Sequence, residues 1–159
     1  MLSLVKALKL AESLEKSRAK IYKKYMKAVK FPAGKKVLHF LAKAEESHLK
    51  FLKSQSKRLE KGERVLYSRL HQPEIVFPLA EDSLKSSIEN ISSDIGIIKI
   101  VLELEKYDEK FYEYAYAQSQ SPESKKLFKK MSRIEEKHLK AINNVIKLAE
   151  KSQKITLQS

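Results

Sequence analysis

The tetrapeptide Glu45-Glu-Ser-His48 recurs as Glu135-Glu-Lys-His138, ninety positions further along the chain. The same shift places Glu15-Lys-Ser-Arg-Ala-Lys-Ile-Tyr22 on Glu105-Lys-Tyr-Asp-Glu-Lys-Phe-Tyr112, and it aligns a 37-residue segment that starts at Glu15 without a gap, with 12 identities. Lysine matches mean little in a chain this rich in lysine, but Glu, Tyr, Pro and His recur together. The sequence therefore contains an internal repeat, and each copy is long enough for a pair of helices.

Hydrophobic residues recur at helical spacing in four segments, which predicts an all-α fold. The first two helices are separated by the stop signal Phe31-Pro-Ala-Gly34, and the last two by the turn around Pro122. Ser92-Ser93-Asp94 is the predicted N-cap of the third helix. The first predicted helix covers 3–30, and the second runs from the end of the turn to about 62. The third covers 92 to about 117 and the fourth about 123–152. A long crossover is predicted at about 63–91 and a frayed tail at 153–159.

Composition limits the class of protein. With 159 residues, only three glycines and four prolines, the chain predicts one domain (residues 1–152) of long helices with few turns. The absence of cysteine excludes disulfides, thiolate zinc sites, cysteine nucleophiles and iron–sulfur clusters from this sequence. The chain begins with a short amphipathic stretch and has no apolar run near the length of a membrane span, so we expect a cytoplasmic protein without membrane contact.

A net charge of +13 suggests nucleic acid as a partner, but the distribution of charge argues against it. Lysines are spread along every predicted helix and alternate with glutamates, and arginines do not cluster. This pattern is typical of a solvated Lys/Glu surface, of the kind enriched in thermophile proteins. The alternative interpretation is a basic surface that docks an acidic protein.

A Glu-x-x-His pair puts a carboxylate and an imidazole on the same helix face, close enough to bind one ion. One such pair is usually an ordinary surface pair, but Glu15 and Glu105 interrupt apolar rows on the partner helices and should face these pairs. Four carboxylates inside one bundle need compensating positive charge, and two divalent cations supply it. The predicted ligands are Glu15, Glu45, His48, Glu105, Glu135 and His138.

With these motifs the chain resembles the rubrerythrin branch of the ferritin-like superfamily, over roughly residues 3–150. The resemblance implies a ferritin-like four-helix bundle, made of two helical hairpins joined by one long crossover. It also implies that the six residues named above are iron ligands. Tyr22 and Tyr112 match family tyrosines that donate hydrogen bonds to ligands, although an ordinary core position is the alternative for both.

The resemblance further implies two iron ions that are oxidised from Fe(II) while hydrogen peroxide or dioxygen is reduced, a role in oxidative stress or iron chemistry. Manganese or zinc could occupy the same oxygen and nitrogen ligands. Because the sequence lacks the four cysteines of a rubredoxin module, electrons should come from an external donor, such as an acidic rubredoxin. Peroxidase-type relatives carry an extra Glu one turn after the third-helix ligand, where this chain has Asp108 followed by Glu109.

Two other functions stay open at this stage. One is ferritin-type iron storage, which is disfavoured because Glu46 stands where bacterioferritins have a haem-binding Met and because only a short tail follows the fourth helix. The other is a metal-free basic helical module that binds an acidic protein or nucleic acid. A homo-oligomer is expected, with a dimer favoured, and His39 and His71 are predicted surface residues.

Overall fold

The computed structural model describes residues 2–66, 70 and 88–158, and these residues form four helices without any strand. Their order is α1 (Leu4–Ala28), α2 (Pro32–Glu60), α3 (Ile88–Gln118) and α4 (Pro122–Gln158). α1 packs along α2 and α3 along α4, while α1 also lies beside α3 and α2 beside α4. The predicted four-helix bundle of two hairpins is therefore confirmed, and most of the crossover lies outside the described residues.

The two hairpin turns occupy equivalent places in the repeat but are capped differently. Pro32 and Pro122 are the first residues of α2 and α4, where a missing N–H costs nothing. The side chain of Ser121 accepts a hydrogen bond from the N–H of Ser124 at 3.1 Å, which caps α4 locally. Within the described residues Phe31 has no such side-chain bond, and the turn that precedes α2 is bound by a residue of the other hairpin.

The residue that binds this turn is Asp94, which was the predicted N-cap of the third helix. The assignment is wrong, because α3 already begins at Ile88 and Asp94 lies inside it. The Asp94 carboxylate instead accepts hydrogen bonds from the backbone N–H groups of Lys30, at 2.9 Å, and Phe31, at 2.5 Å. An Asp next to serines is a typical N-cap residue, because its carboxylate readily accepts hydrogen bonds from backbone N–H groups. The packing of the two hairpins determines which N–H groups it binds.

The predicted frayed tail is also wrong for residues 153–158, since α4 continues to Gln158. No glycine or proline follows Pro122 to end the helix, and Ser152 is still buried against the bundle. At the other boundary, residues 88–91 belong to α3 and not to the crossover. The start of the connection, 63–66, folds back on α2, where Gln55 accepts a hydrogen bond from the N–H of Leu66 at 2.6 Å.

The hydrophobic core is divided into two parts along the bundle axis. One cluster lies near the α1–α2 turn and includes Leu38, Val101 and Ile142, and the other lies near the α3–α4 turn, at the opposite end of the bundle, and includes Leu8, Phe51 and Met131. The layer between them is polar and is formed by the predicted ligands. None of the helices in the described ranges combines the length and the apolar character that a membrane span requires.

Candidate metal centre

Each helix contributes to the polar layer as the repeat predicts. α1 and α3 contribute one glutamate each, and α2 and α4 each contribute a glutamate and, one turn later, a histidine on the same face. Every one of these side chains is almost completely buried, with at most 1% of the residue exposed. The structure thus brings together all six predicted ligands, which are Glu15, Glu45, His48, Glu105, Glu135 and His138.

The two imidazoles point their Nδ1 atoms at the carboxylates. His48 Nδ1 lies 3.4 Å from Glu15 Oε2 and 3.5 Å from Glu45 Oε2. His138 Nδ1 lies 3.1 Å from Glu105 Oε2 and 3.3 Å from Glu135 Oε2. The two rings are nearly parallel, at 14°, with their centres 6.0 Å apart.

The ligand atoms fall into two overlapping groups, in each of which all atoms lie within 4.8 Å of one another. One group contains Glu15 and His48, the other contains Glu105 and His138, and both contain Glu45 and Glu135. Each group therefore offers three carboxylates and one imidazole. Two groups that share the carboxylates of Glu45 and Glu135 would suit a pair of ions, one in each group.

The layer has more polar atoms than the protein can satisfy. Among the described residues, buried atoms of four members of this layer have no hydrogen-bond partner, and they are Glu15 Oε2, Glu45 Oε1, His48 Nδ1 and both Oε atoms of Glu135. A buried polar atom without a partner is costly, and a buried unpaired charge more so. Oxygen and nitrogen donors aimed at one space, without a thiolate among them, fit first-row transition metals such as iron or manganese.

Without cations the shared carboxyls resist ionisation. Burial raises the pKa of Glu45 well above its ordinary value, and the charges of Glu15 and Glu135 raise it further. Burial raises the pKa of Glu135 in the same way, and the charge of Glu105 adds to the effect. For Glu105, burial also acts to raise the pKa, but hydrogen bonds and the charge of His138 prevail and lower it to about 2. Neutrality in this layer thus requires protons or metal ions.

Two tyrosines tie the ligands of one hairpin to the other. The Tyr22 hydroxyl on α1 donates to Glu105 on α3 at 2.5 Å, and the Tyr112 hydroxyl on α3 donates to Glu15 on α1. Both tyrosines are fully buried. Burial and the neighbouring carboxylates raise the pKa of each hydroxyl well above 10, so both keep their protons and act as donors.

Between these two bonds lies an ion pair that the sequence analysis did not predict. Arg18 donates to Asp108 through Nε, at 2.8 Å to Oδ2, and through an NH2 group, at 2.8 Å to Oδ1. This two-point contact is the fork geometry of an arginine–carboxyl pair. Burial and the charge of Glu105 raise the pKa of Asp108, the Arg18 guanidinium lowers it, and the balance leaves this pKa at about 8.

The carboxyl group of Asp108 is thus paired with Arg18. Neither it nor Glu109 belongs to the two groups of ligand atoms found in the described part of the chain. The signal for the pair was present in the repeat, because a shift of ninety places Arg18 on Asp108. Residues that are equivalent in a two-fold repeat can face each other at its axis, and these two carry opposite charge. His39 is exposed, as predicted, whereas His71 lies outside the described residues.

Comparison with known proteins agrees with this geometry. A family model described as rubrerythrin matches residues 6–101, which span α1, α2 and the first part of α3. The match includes Glu15, Glu45 and His48 and ends before Glu105, so the repeat supplies the correspondence for the second hairpin. Searches of curated proteins and of solved structures gave no match.

Proposed function

The chain belongs to the rubrerythrin family, and from this premise we propose that it is a di-iron protein that oxidises Fe(II) while hydrogen peroxide or dioxygen is reduced. The observation that carries the proposal is the pair of buried ligand groups that share Glu45 and Glu135. A bound pair of iron ions would supply one electron from each ion, which matches the two-electron reduction of peroxide to water. That role suits protection against oxidative stress.

The protein's own residues would bind the ions, orient the ligands and keep water out. Glu15 and His48 would hold one ion, Glu105 and His138 the other, and the shared carboxylates both. Tyr112 and Tyr22 fix the orientation of the two unshared carboxylates by hydrogen bonds. Apolar clusters on both sides of the layer exclude water, and a low dielectric strengthens the attraction between cations and carboxylates.

Metal analysis and rapid mixing test the proposal together. The anaerobically loaded protein should retain two irons per chain, and stopped-flow mixing should show oxidation by peroxide or by dioxygen. Faster oxidation by peroxide would indicate a peroxidase, and faster oxidation by dioxygen a ferroxidase. A preparation that retains manganese or zinc in the same two positions would contradict iron as the native metal, but it would not contradict the location of the site.

Matched histidine variants locate the site. His138→Ala should lose at least one ion per chain, because His138 is a member of one ligand group, while His39→Ala should keep both ions because His39 is exposed. A metal-free binding module predicts no difference between the two variants. Many irons per chain in a large assembly would instead indicate iron storage.

The 159 residues contain no cysteine to hold a thiolate iron centre, so an electron donor of that kind lies outside this sequence. We propose that the donor is acidic, such as a rubredoxin, and that it docks on the α1–α2 face. A groove of about 450 Å³ on this face is lined by Glu46 and five lysines. Its lining residues include Lys16 and Glu46, which directly follow Glu15 and Glu45 in the sequence. The lysines are Lys16, Lys20, Lys23, Lys24 and Lys27. Reduction should slow as salt is added, and Lys20→Glu should slow it at low salt. A rate that is independent of salt would contradict this docking.

A further inference from the structure

Polar side chains join α1 to α3 at three successive turns in the described part of the chain. Each of these contacts pairs one residue of α1 with one residue of α3, and we call them the seam contacts; they are Glu15–Tyr112, Arg18–Asp108 and Tyr22–Glu105. Residue numbers rise along α1 while they fall along α3, so the two helices are antiparallel here. The two outer contacts hold the unshared glutamates of the ligand layer, and the middle one holds no ligand.

The middle seam contact lies on the axis of the internal repeat. A shift of ninety positions exchanges the two outer contacts with each other, because each pairs a glutamate and a tyrosine from corresponding positions. The same shift exchanges Arg18 with Asp108, so the middle contact corresponds to itself. Two identical charges would repel at such a point, whereas arginine and aspartate attract each other. The pair stands about one helical turn from each tyrosine–glutamate bond, so a change at the pair should affect both bonds.

The Arg18–Asp108 contact is buried and directional. Arg18 is 9% exposed and Asp108 2%. Nε and Nη2 of the guanidinium each lie 2.8 Å from a different carboxyl oxygen, and the Tyr107 ring centre lies 5.9 Å from the guanidinium carbon. A planar fork on a planar carboxyl group fixes both the distance and the direction of the contact, whereas a contact between apolar side chains is not directional.

We propose that Arg18 and Asp108 are positioning residues of the metal centre. Their contact fixes the register of α1 on α3 in which the two tyrosine hydroxyls reach the unshared glutamates. A shift of one helix along the other would lengthen or bend both hydroxyl–carboxylate bonds, and hydrogen bonds weaken steeply as they bend. The proposal rests on the proposed function in one respect, since it takes the ligand layer to bind two ions.

A purely structural role for the pair makes a different prediction. If the pair served only to hold the bundle together, metal affinity would be normal in any variant that folds stably. Arg18→Leu/Asp108→Leu separates the two roles, because it leaves no unpaired buried charge and yet lacks a directional contact. A positioning role predicts that this variant folds but binds metal ions weakly.

Anaerobic titration of the metal-free, full-length protein with Co²⁺ tests the proposal. The visible absorption of bound Co²⁺ reports the number and geometry of its ligands, and the wild type should bind two ions per chain. Arg18→Leu/Asp108→Leu should show altered bands and an affinity at least about tenfold lower, as is typical when the support of a metal ligand is lost. The matched control is Arg58→Leu, which removes an arginine that pairs with Glu63 at 2.7 Å near the end of α2 and should bind as the wild type does. Circular dichroism checks that the variants stay helical.

Two further variants make the test independent of how well the leucine pair folds. Arg18→Asp/Asp108→Arg exchanges the two partners at positions that face each other, so it should restore the affinity and the wild-type bands. Arg18→Lys keeps the charge and loses the fork, so it should weaken binding.

Three results would overturn the proposal while the wild type still binds two ions. They are a leucine pair that binds Co²⁺ as tightly as the wild type with unchanged bands, an exchanged pair as weak as the leucine pair, and wild-type binding by Arg18→Lys. A wild type that binds no Co²⁺ would overturn the proposed metal centre together with this proposal. The two failures are therefore distinguishable.

Discussion

At the level of single residues, the hydroxyls of Tyr22 and Tyr112 stand out because each reaches across to a carboxylate of the other hairpin. A buried carboxylate with a free side chain would rotate between several positions, and only some of them suit a metal ion. A donor of fixed position selects one orientation before any ion binds, as a supporting hydrogen bond does in metal sites generally. Each hairpin therefore orients a ligand of the other.

Tyr112→Phe removes one of these donors and leaves Glu15 Oε1 buried without it. We expect the metal-loaded variant to lose about 1–3 kcal/mol in its free energy of unfolding, the usual cost of an unsatisfied buried acceptor. Urea unfolding measures the loss. Tyr116→Phe is the matched control, because Tyr116 is 37% exposed and water can replace its partners. Equal losses in the two variants would argue against the cross-hairpin bond.

The Arg18–Asp108 pair is the second feature at this scale. Arg18→Leu leaves a buried carboxylate without its cation, and we expect a loss of about 3–5 kcal/mol in the free energy of unfolding. Arg18→Leu/Asp108→Leu should recover a large part of that loss, since both charges are gone. Chemical denaturation of the four proteins in the cycle gives the coupling energy. A double variant as unstable as the single one would show that Arg18 matters through packing and not through Asp108.

At the level of helices, the repeat was enough to predict four helices, their pairing into hairpins and the six residues that meet in the polar layer, because each of these depends on local periodicity. The predicted helix boundaries and caps were wrong where a contact between the two hairpins determines the structure. Asp94 looks like an N-cap in its own segment, yet its carboxylate bonds to amides that follow α1. Arg18 and Asp108 likewise look like surface charges in their own helices, and only the packing of α1 on α3 buries them.

Asp94 should therefore stabilise the junction of the two hairpins more than α3 itself. Asp94→Ala leaves the N–H groups of Lys30 and Phe31 without their acceptor, and we expect a loss of about 1–2 kcal/mol, typical of a lost cap. Hydrogen exchange should show the largest loss of protection at the α1–α2 turn. Glu113→Ala, an exposed acidic residue on the same helix, is the control and should change stability little. Loss of protection confined to the start of α3 would contradict this assignment.

For the molecule as a whole, stability and metal binding depend on the same layer of charge. Two apolar clusters flank six buried ligands, so the bundle cannot close without neutralising four carboxylates. Cations or protons can do this. Any ion that binds the folded state and not the unfolded chain raises stability according to its affinity and concentration. The free energy of unfolding should consequently depend on pH in a way that changes when metal binds.

Removal of the metal should make stability fall as pH rises. In the metal-free fold the pKa values of Glu45 and Glu135 lie well above 4.5, so the folded state binds these protons more tightly than the unfolded chain does. Their contribution is complete below pH 4.5 and is lost as pH rises through the raised values, by up to about 1.4 kcal/mol per pH unit for each group. Glu15 and Glu105, whose pKa values are lowered, act only below pH 4.5, outside this window.

Urea unfolding of the metal-loaded and chelated protein between about pH 5 and 8 measures this linkage. The chelated form should lose stability with pH much more steeply than the loaded form, in which cations replace the protons. Asp108, whose pKa is raised to about 8 in the metal-free layer, adds a loss of the same sign to the chelated form. Glu45→Gln/Glu135→Gln should flatten the curve of the chelated form, because a glutamine side chain does not titrate in this range. A chelated wild type whose stability stays level or rises with pH would mean that the shared carboxylates are neutralised by something other than protons or metal ions.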